Sequence, residues 1–164
     1  MKVSSNFTLE ELFASQEAKV RGIDNTPSPS ATANLRELAV YMLQPIRDVY
    51  GKPVKVNSGF RCEKLNAIIG GSPSSSHKYG YAADIKPADG NMRELQRRIL
   101  EWAKTNKFDQ IIIEQPVDGV AKWIHVGWKR GSDGTQRKQI LSAKKVNGRW
   151  QYFPVKPNSK YYSV

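Results

Sequence analysis

The chain has 164 residues, 39% apolar and 25% charged, which excludes a collagen-like or disordered polymer and suffices for a single domain with its own core. Twenty-six Lys and Arg against fifteen Asp and Glu leave a net charge of +11, favouring polyanions such as nucleic acid, anionic lipid or a phosphate-rich cell wall. One cysteine, Cys62, excludes an intramolecular disulfide, and no run approaches the roughly 18 apolar residues of a membrane span.

The opening Met-Lys-Val-Ser-Ser-Asn-Phe-Thr has neither an apolar stretch nor a cleavage site. No signal peptide is expected, so the chain would be made in the cytoplasm and need a separate release route to act outside. Thr8 and Glu11 form a capping box, Phe7 can staple onto Leu12, and the helix they start is expected to fade by Lys19. Residues 22–30, with Pro27 and Pro29, read as a loop. Over residues 30–50 an apolar stripe of Leu35, Leu38, Ala39, Met42, Leu43, Ile46 and Tyr50 predicts one helix, kinked at Pro45 and stopped by Gly51.

Residues 54–57 alternate as a strand, 63–69 suit a short helix, 70–76 form a Gly/Ser loop, and 82–85 suit a buried strand. Asn91 caps a helix expected over 92–105, with Glu94 placed to return the bond and Leu95, Ile99, Trp102 and Ala103 facing the core. Asp109–Glu114 and Lys122–Trp128 read as strands joined at Asp118-Gly119, and Asn147-Gly148 marks a second hairpin. Helices first, then mostly antiparallel strands with a helix between them, make the fold class α+β. The expected organisation is one domain over 1–164: helices at 7–50, a core at 54–128 and a hairpin extension at 129–164.

The chemistry gathers at both of the chain's histidines. His77 and Asp84 share the segment Ser75-Ser-His-Lys-Tyr-Gly-Tyr-Ala-Ala-Asp84, and His125 lies in an apolar strand. Two imidazoles and a carboxylate are the ligand set of a catalytic zinc, which keeps one position open. The competing reading is two unrelated histidines with Asp84 as a turn or capping residue. If Asp118 and Gly119 are the loop residues, Glu114 falls opposite Trp123 and shares a face with His125, one diagonal step away. A carboxylate there can act as general base, with Asp118 as the fallback. Arg61 follows a Ser-Gly turn and can bind a substrate carboxylate or stabilise an oxyanion, unless it is an ordinary surface cation. Ser75 can bond substrate or support the ligands, and Gly80 lets the chain turn so that they converge. Trp123, Trp128 and Tyr81 can line a substrate groove or simply pack. Cys62 lacks a spare imidazole to serve as a nucleophile. The basic, aromatic residues 144–162 could stack on single-stranded nucleic acid, but no RNA- or DNA-binding motif accompanies them.

Four motifs carry a resemblance: Ser58-Gly-Phe-Arg61-Cys, Leu65-Asn-Ala-Ile-Ile-Gly-Gly-Ser72, the Ser75 to Asp84 segment, and Trp123-Ile-His125-Val. Together they resemble the D-alanyl-D-alanine carboxypeptidase family of zinc peptidases, relatives of lysostaphin-type enzymes and the Hedgehog signalling domain. The Phe-Thr-Leu-Glu-Glu-Leu opening, the Gly-Ile-Asp-Asn loop and the Asp-Gln-Ile-Ile-Ile-Glu strand are similar to the phage and prophage branch. The resemblance implies a Hedgehog/DD-peptidase-like fold, zinc as cofactor, His77, Asp84 and His125 as its ligands, and Arg61 as the stabiliser of substrate or oxyanion. It departs from the family at Lys122, where relatives often place the catalytic acid, which leaves that role to Glu114.

The expected function is therefore a zinc metallopeptidase hydrolysing peptidoglycan stem peptides, as a phage endolysin or a D-Ala-D-Ala carboxypeptidase. It is expected to act as a monomer on an anionic cell wall, with neither nucleic acid nor a membrane span involved. The alternatives are a non-catalytic Hedgehog-like zinc- and wall-binding module, and a basic nucleic-acid-binding protein.

Overall fold

Thr8 opens the first helix, α1 (Leu9–Phe13), with the predicted box: Glu11 N–H donates to Thr8 Oγ1, and Thr8 N–H donates to Glu11 Oε1. The helix does not run on to residue 19. Ala14 is extended and Ser15 caps afresh, accepting from Ala18 N–H, so a separate α2 (Gln16–Val20) follows. A second cap at Ser15 competes with helix continuation, which explains the break. The computed structural model describes residues 1–129 and 135–164; residues 130–134, within the predicted extension, lie outside the described residues.

The predicted helix over residues 30–50 is three consecutive segments. These are α3 (Pro29–Leu38), a wide π turn over Ala39–Leu43, and α4 (Gln44–Tyr50). Pro45 has no N–H to give the carbonyl of Tyr41, and the ring would crowd it. The widened turn, in which Gln44 N–H reaches back to the Ala39 carbonyl, absorbs that conflict. Every residue of the predicted stripe, from Leu35 to Tyr50, is buried. Gly51 ends α4 in the left-handed region at φ 76°.

The remaining elements are β1 (Val54–Ser58), α5 (Glu63–Ile68), a 3₁₀ turn over Ser76–Tyr79, β2 (Ala82–Pro87), α6 (Met92–Ala103), β3 (Gln110–Glu114), β4 (Trp123–Gly127), β5 (Gln139–Val146), β6 (Arg149–Pro154) and a short 3₁₀ turn at Lys160–Tyr162. Asn91 caps α6 as predicted, but Glu94 does not return the bond. Its carboxylate is held by Arg97 and Arg98, while Asn91 N–H turns to Asp89.

Among the described residues the strands form one sheet in the order β1-β2-β4-β3-β5-β6, antiparallel except for β3 beside β5. The fold is α+β. Ile85, Ile111, Ile113, Ile124 and Val126 share one core cluster with Leu35, Leu38, Met42, Ile46, Leu95 and Ile99 from the helices. Those strand positions alternate with Asp84, Ile112, Glu114 and His125, so the helices cover one face and the other is left for a site.

Candidate metal centre

Register places the polar groups. In β2 and β4, Asp84 stands opposite His125; in β3 and β4, Glu114 stands opposite Trp123. The turn that sets the second register is the one predicted: Val117 and Val120 exchange both backbone bonds around Asp118 at φ 52° and Gly119 at φ 80°. Glu114 therefore lies on the His125 face, one diagonal step away.

His77 arrives from outside the sheet, on the 3₁₀ turn. Ser75 caps that turn by accepting from His77 N–H. Gly80 closes it at φ 78°, where an added Cβ would lie 2.6 Å from the Ala31 carbonyl oxygen. The turn is thereby pressed against α3, which only glycine permits. His77 Nδ1 donates to the Gly59 carbonyl at 2.8 Å, leaving Nε2 as the nitrogen with a free lone pair.

Around Asp84 the groups converge. His77 Nε2 lies 3.4 Å from Asp84 Oδ1 and His125 Nδ1 lies 3.2 Å from the same oxygen. All three side chains offer ligand atoms within 4.8 Å of one another. Four ligands arranged tetrahedrally at zinc bond lengths stand about 3.3 Å apart, so this spacing suits such an ion. His77 Nε2 is fully buried with no hydrogen-bond partner among the described residues, as is the far nitrogen of His125. A buried acceptor left bare is costly unless something occupies it, and a cation between these atoms satisfies His77 Nε2. The donor set fits a divalent metal.

Charge reinforces this arrangement. Burial holds the His77 imidazole below its ordinary value against the opposing pull of Asp84, keeping it in the neutral form that ligates metal. Burial alone would raise the Asp84 carboxyl, but the imidazoles of His77 and His125 packed against it outweigh burial and hold the carboxyl far below the usual range. Glu114, 8% exposed, is pushed up to about 7 chiefly by burial and further by Asp84, with His125 and Arg61 opposing. A carboxylate poised near neutrality can both take and return a proton.

Arg61 Nη2 lies 4.0 Å from Asp84 Oδ2, and burial lowers the guanidinium against the pull of Asp84 and Glu114. Trp123 stands beside Glu114 on the ligand face. Tyr81 stands at the entry to β2, its ring 5.9 Å from that of Tyr79. Trp128 stacks on Tyr41 at 4.7 Å, and Cys62 caps α5. Two buried asparagines were not singled out from sequence. Asn66 Oδ1 accepts from Arg61 while its amide donates to the Ser72 carbonyl, and Asn25 ties the carbonyls of Phe13 and Phe60 to Cys62 N–H. Their positions inside two of the recognised motifs were the available signal.

A family model described as Peptidase M15 matches residues 5–127, or 123 of the 164 positions. The chain belongs to the peptidase M15 family. A zinc D-Ala-D-Ala carboxypeptidase from Streptomyces albus G is 43% identical over 58 residues, a stretch covering 34% of this chain and 23% of that relative. The shared segment is thus under a quarter of the relative's length. All the converging groups, from Arg61 to His125, lie inside the M15 match, and the β5–β6 hairpin lies beyond it.

Proposed function

We propose that the chain is a zinc-dependent peptidase acting on the stem peptides of bacterial peptidoglycan. The observation that carries this reading is the convergence of His77 Nε2 and His125 Nδ1 on one Asp84 oxygen, with Glu114 on the same face. Membership of a peptidase family and likeness to a zinc D-Ala-D-Ala carboxypeptidase support it.

His77, Asp84 and His125 would hold the ion. When bound, zinc supplies Lewis acidity and lowers the pKa of a water in its open position towards about 7. Glu114 accepts a proton from the attacking water on a carboxylate oxygen and delivers it to the departing amine nitrogen. Its position beside His125 suits that role, with Lys122 in the slot that relatives often fill with an acid. Arg61, held by Asn66 and 4.0 Å from Asp84, can bind the substrate carboxylate or the developing oxyanion. Trp123 packs against the peptide next to the base, and Ser75 holds the turn that aims His77.

Glu114 on the ligand face favours a catalyst over a zinc module that binds without cutting. Of the finer assignments, a monomeric phage endolysin is favoured by the likeness of its motifs to the phage branch, and a D-Ala-D-Ala carboxypeptidase at the cell wall by the likeness to the Streptomyces relative. Purified protein on isolated peptidoglycan, with chelator and zinc add-back and products read by mass spectrometry, tests the reading. Zinc-restored cleavage is the expected result, and the fragment masses name the bond. Intact walls from protein carrying one zinc per chain would overturn it.

A further inference from the structure

Rows of paired residues cross the sheet from the candidate centre to its far edge. Trp123, Glu114, Ala143 and Tyr152 are successive partners on β4, β3, β5 and β6, and Lys145 pairs with Trp150 two residues along. Paired positions point to one face and positions two apart share it, so Tyr152 and Trp150 stand on the face of Glu114 and His125. Ala143, buried between them, sets a low floor among taller neighbours. Trp123 and Trp150 meet edge to face at 6.4 Å, and the Lys145 ammonium lies 5.9 Å from the Trp150 ring. Tyr152 is 53% exposed and Trp150 37%, so neither serves mainly to fill the core. Burial raises the Tyr152 hydroxyl, and the charges of Glu114 and Asp84 raise it further, which sets that hydroxyl within reach of the field of both carboxylates.

We propose that the β5–β6 hairpin builds a substrate subsite in which the Tyr152 hydroxyl and the Trp150 ring hold an extended anionic peptide two to three residues from the scissile bond. The distance follows from the sheet: β6 lies two strand spacings, about 10 Å, from Glu114, and an extended peptide advances about 3.3 Å per residue. The hydroxyl donates to a substrate carbonyl or carboxylate, the Trp150 ring packs on the chain, and Lys145 supplies the positive charge that selects an anionic segment. This subsite rests on the peptidase reading above and extends it to residues beyond the M15 match.

Tyr152→Phe removes only the hydroxyl from an exposed side chain. The zinc-loaded variant and the unmodified enzyme are compared on a nested set of synthetic stem peptides, two to five residues long, spanning the bond found by wall digestion. The loss in kcat/KM is expected to grow with peptide length, from under about twofold on the shortest to about tenfold on the longest, carried in KM. Binding of the longest peptide to the Glu114→Gln protein, read by tryptophan fluorescence, should weaken by a similar factor when Tyr152→Phe is added. An equal loss at every length, or none, overturns the subsite while leaving the peptidase reading intact. Failure of the zinc-loaded unmodified enzyme to cut any peptide overturns both.

Discussion

Glu114 is set against its surroundings in a way that stability measurements can read. Its carboxyl sits at about 7 in the folded chain against an ordinary 4.5. Between those values the folded state holds a proton that the unfolded state has released. The stability contributed by this group is therefore largest below about pH 4.5 and is lost as pH rises through about 7. Glu114→Gln should raise the stability of the metal-free protein at pH 8 by up to about 3 kcal/mol, with the gain gone below about pH 4.5. Urea titrations at the two pH values check this; a gain of the same size at both would show that burial of charge is not the cause. The placement of Glu114 on the His125 face was legible because hairpin parity follows from a two-residue turn. The support given to Arg61 by Asn66 was not, since a buried amide and an exposed one look alike in a sequence.

At the scale of elements, a clamp helps seat the C-terminal hairpin. Arg137 donates through its side chain to both oxygens of Asp109, and its N–H adds a third bond, just before β5 settles against β3. Burial pushes the Asp109 carboxyl up, but these bonds prevail and hold it below its ordinary 3.8. A depressed carboxyl stabilises the fold above its unfolded value and loses that contribution as pH falls through the folded one. Arg137→Ala leaves the buried Asp109 carboxylate without its guanidinium partner. Because Arg137 itself is half exposed, a cost of about 1–3 kcal/mol at pH 7 is expected, shrinking below about pH 4. Thermal unfolding across that range measures it; a cost that persists undiminished at pH 3 would point to lost packing instead. Strands, caps and both Asn-Gly and Asp-Gly turns were readable because their signals are local. The π turn before Pro45 and the break at Ala14 were not, because each settles a competition between neighbouring hydrogen bonds.

For the whole molecule, the +11 charge and the proposed wall substrate make a joint prediction. Raising salt from 0.1 M to 1 M shortens the screening length from about 10 Å to about 3 Å. Retention of the protein on isolated walls should fall at least about tenfold over that range; unchanged retention would detach the charge from wall binding. Metal gives a second global readout. A ligand held only by the folded state at about 1,000 times its Kd adds about 4 kcal/mol, so chelation should lower the melting temperature and zinc should restore it. The coupling is expected because the three candidate ligands come from the 3₁₀ turn and two adjacent strands, and the turn is pinned to α3 at Gly80.

By itself the sequence determined the fold class, the trio His77, Asp84 and His125 that converges as a candidate metal centre, and the face that Glu114 shares with His125, because motif chemistry and strand parity are short-range properties. Tertiary structure decided what depends on long-range packing: which lone pairs are buried and bare, how far burial lifts Glu114, and how Asn66 holds Arg61. It also decided that β5 lies parallel beside β3, bringing Tyr152 and Trp150 to the site. Nothing local distinguishes that pairing from another, since strand order is chosen by the burial of whole faces and not by any residue along the way.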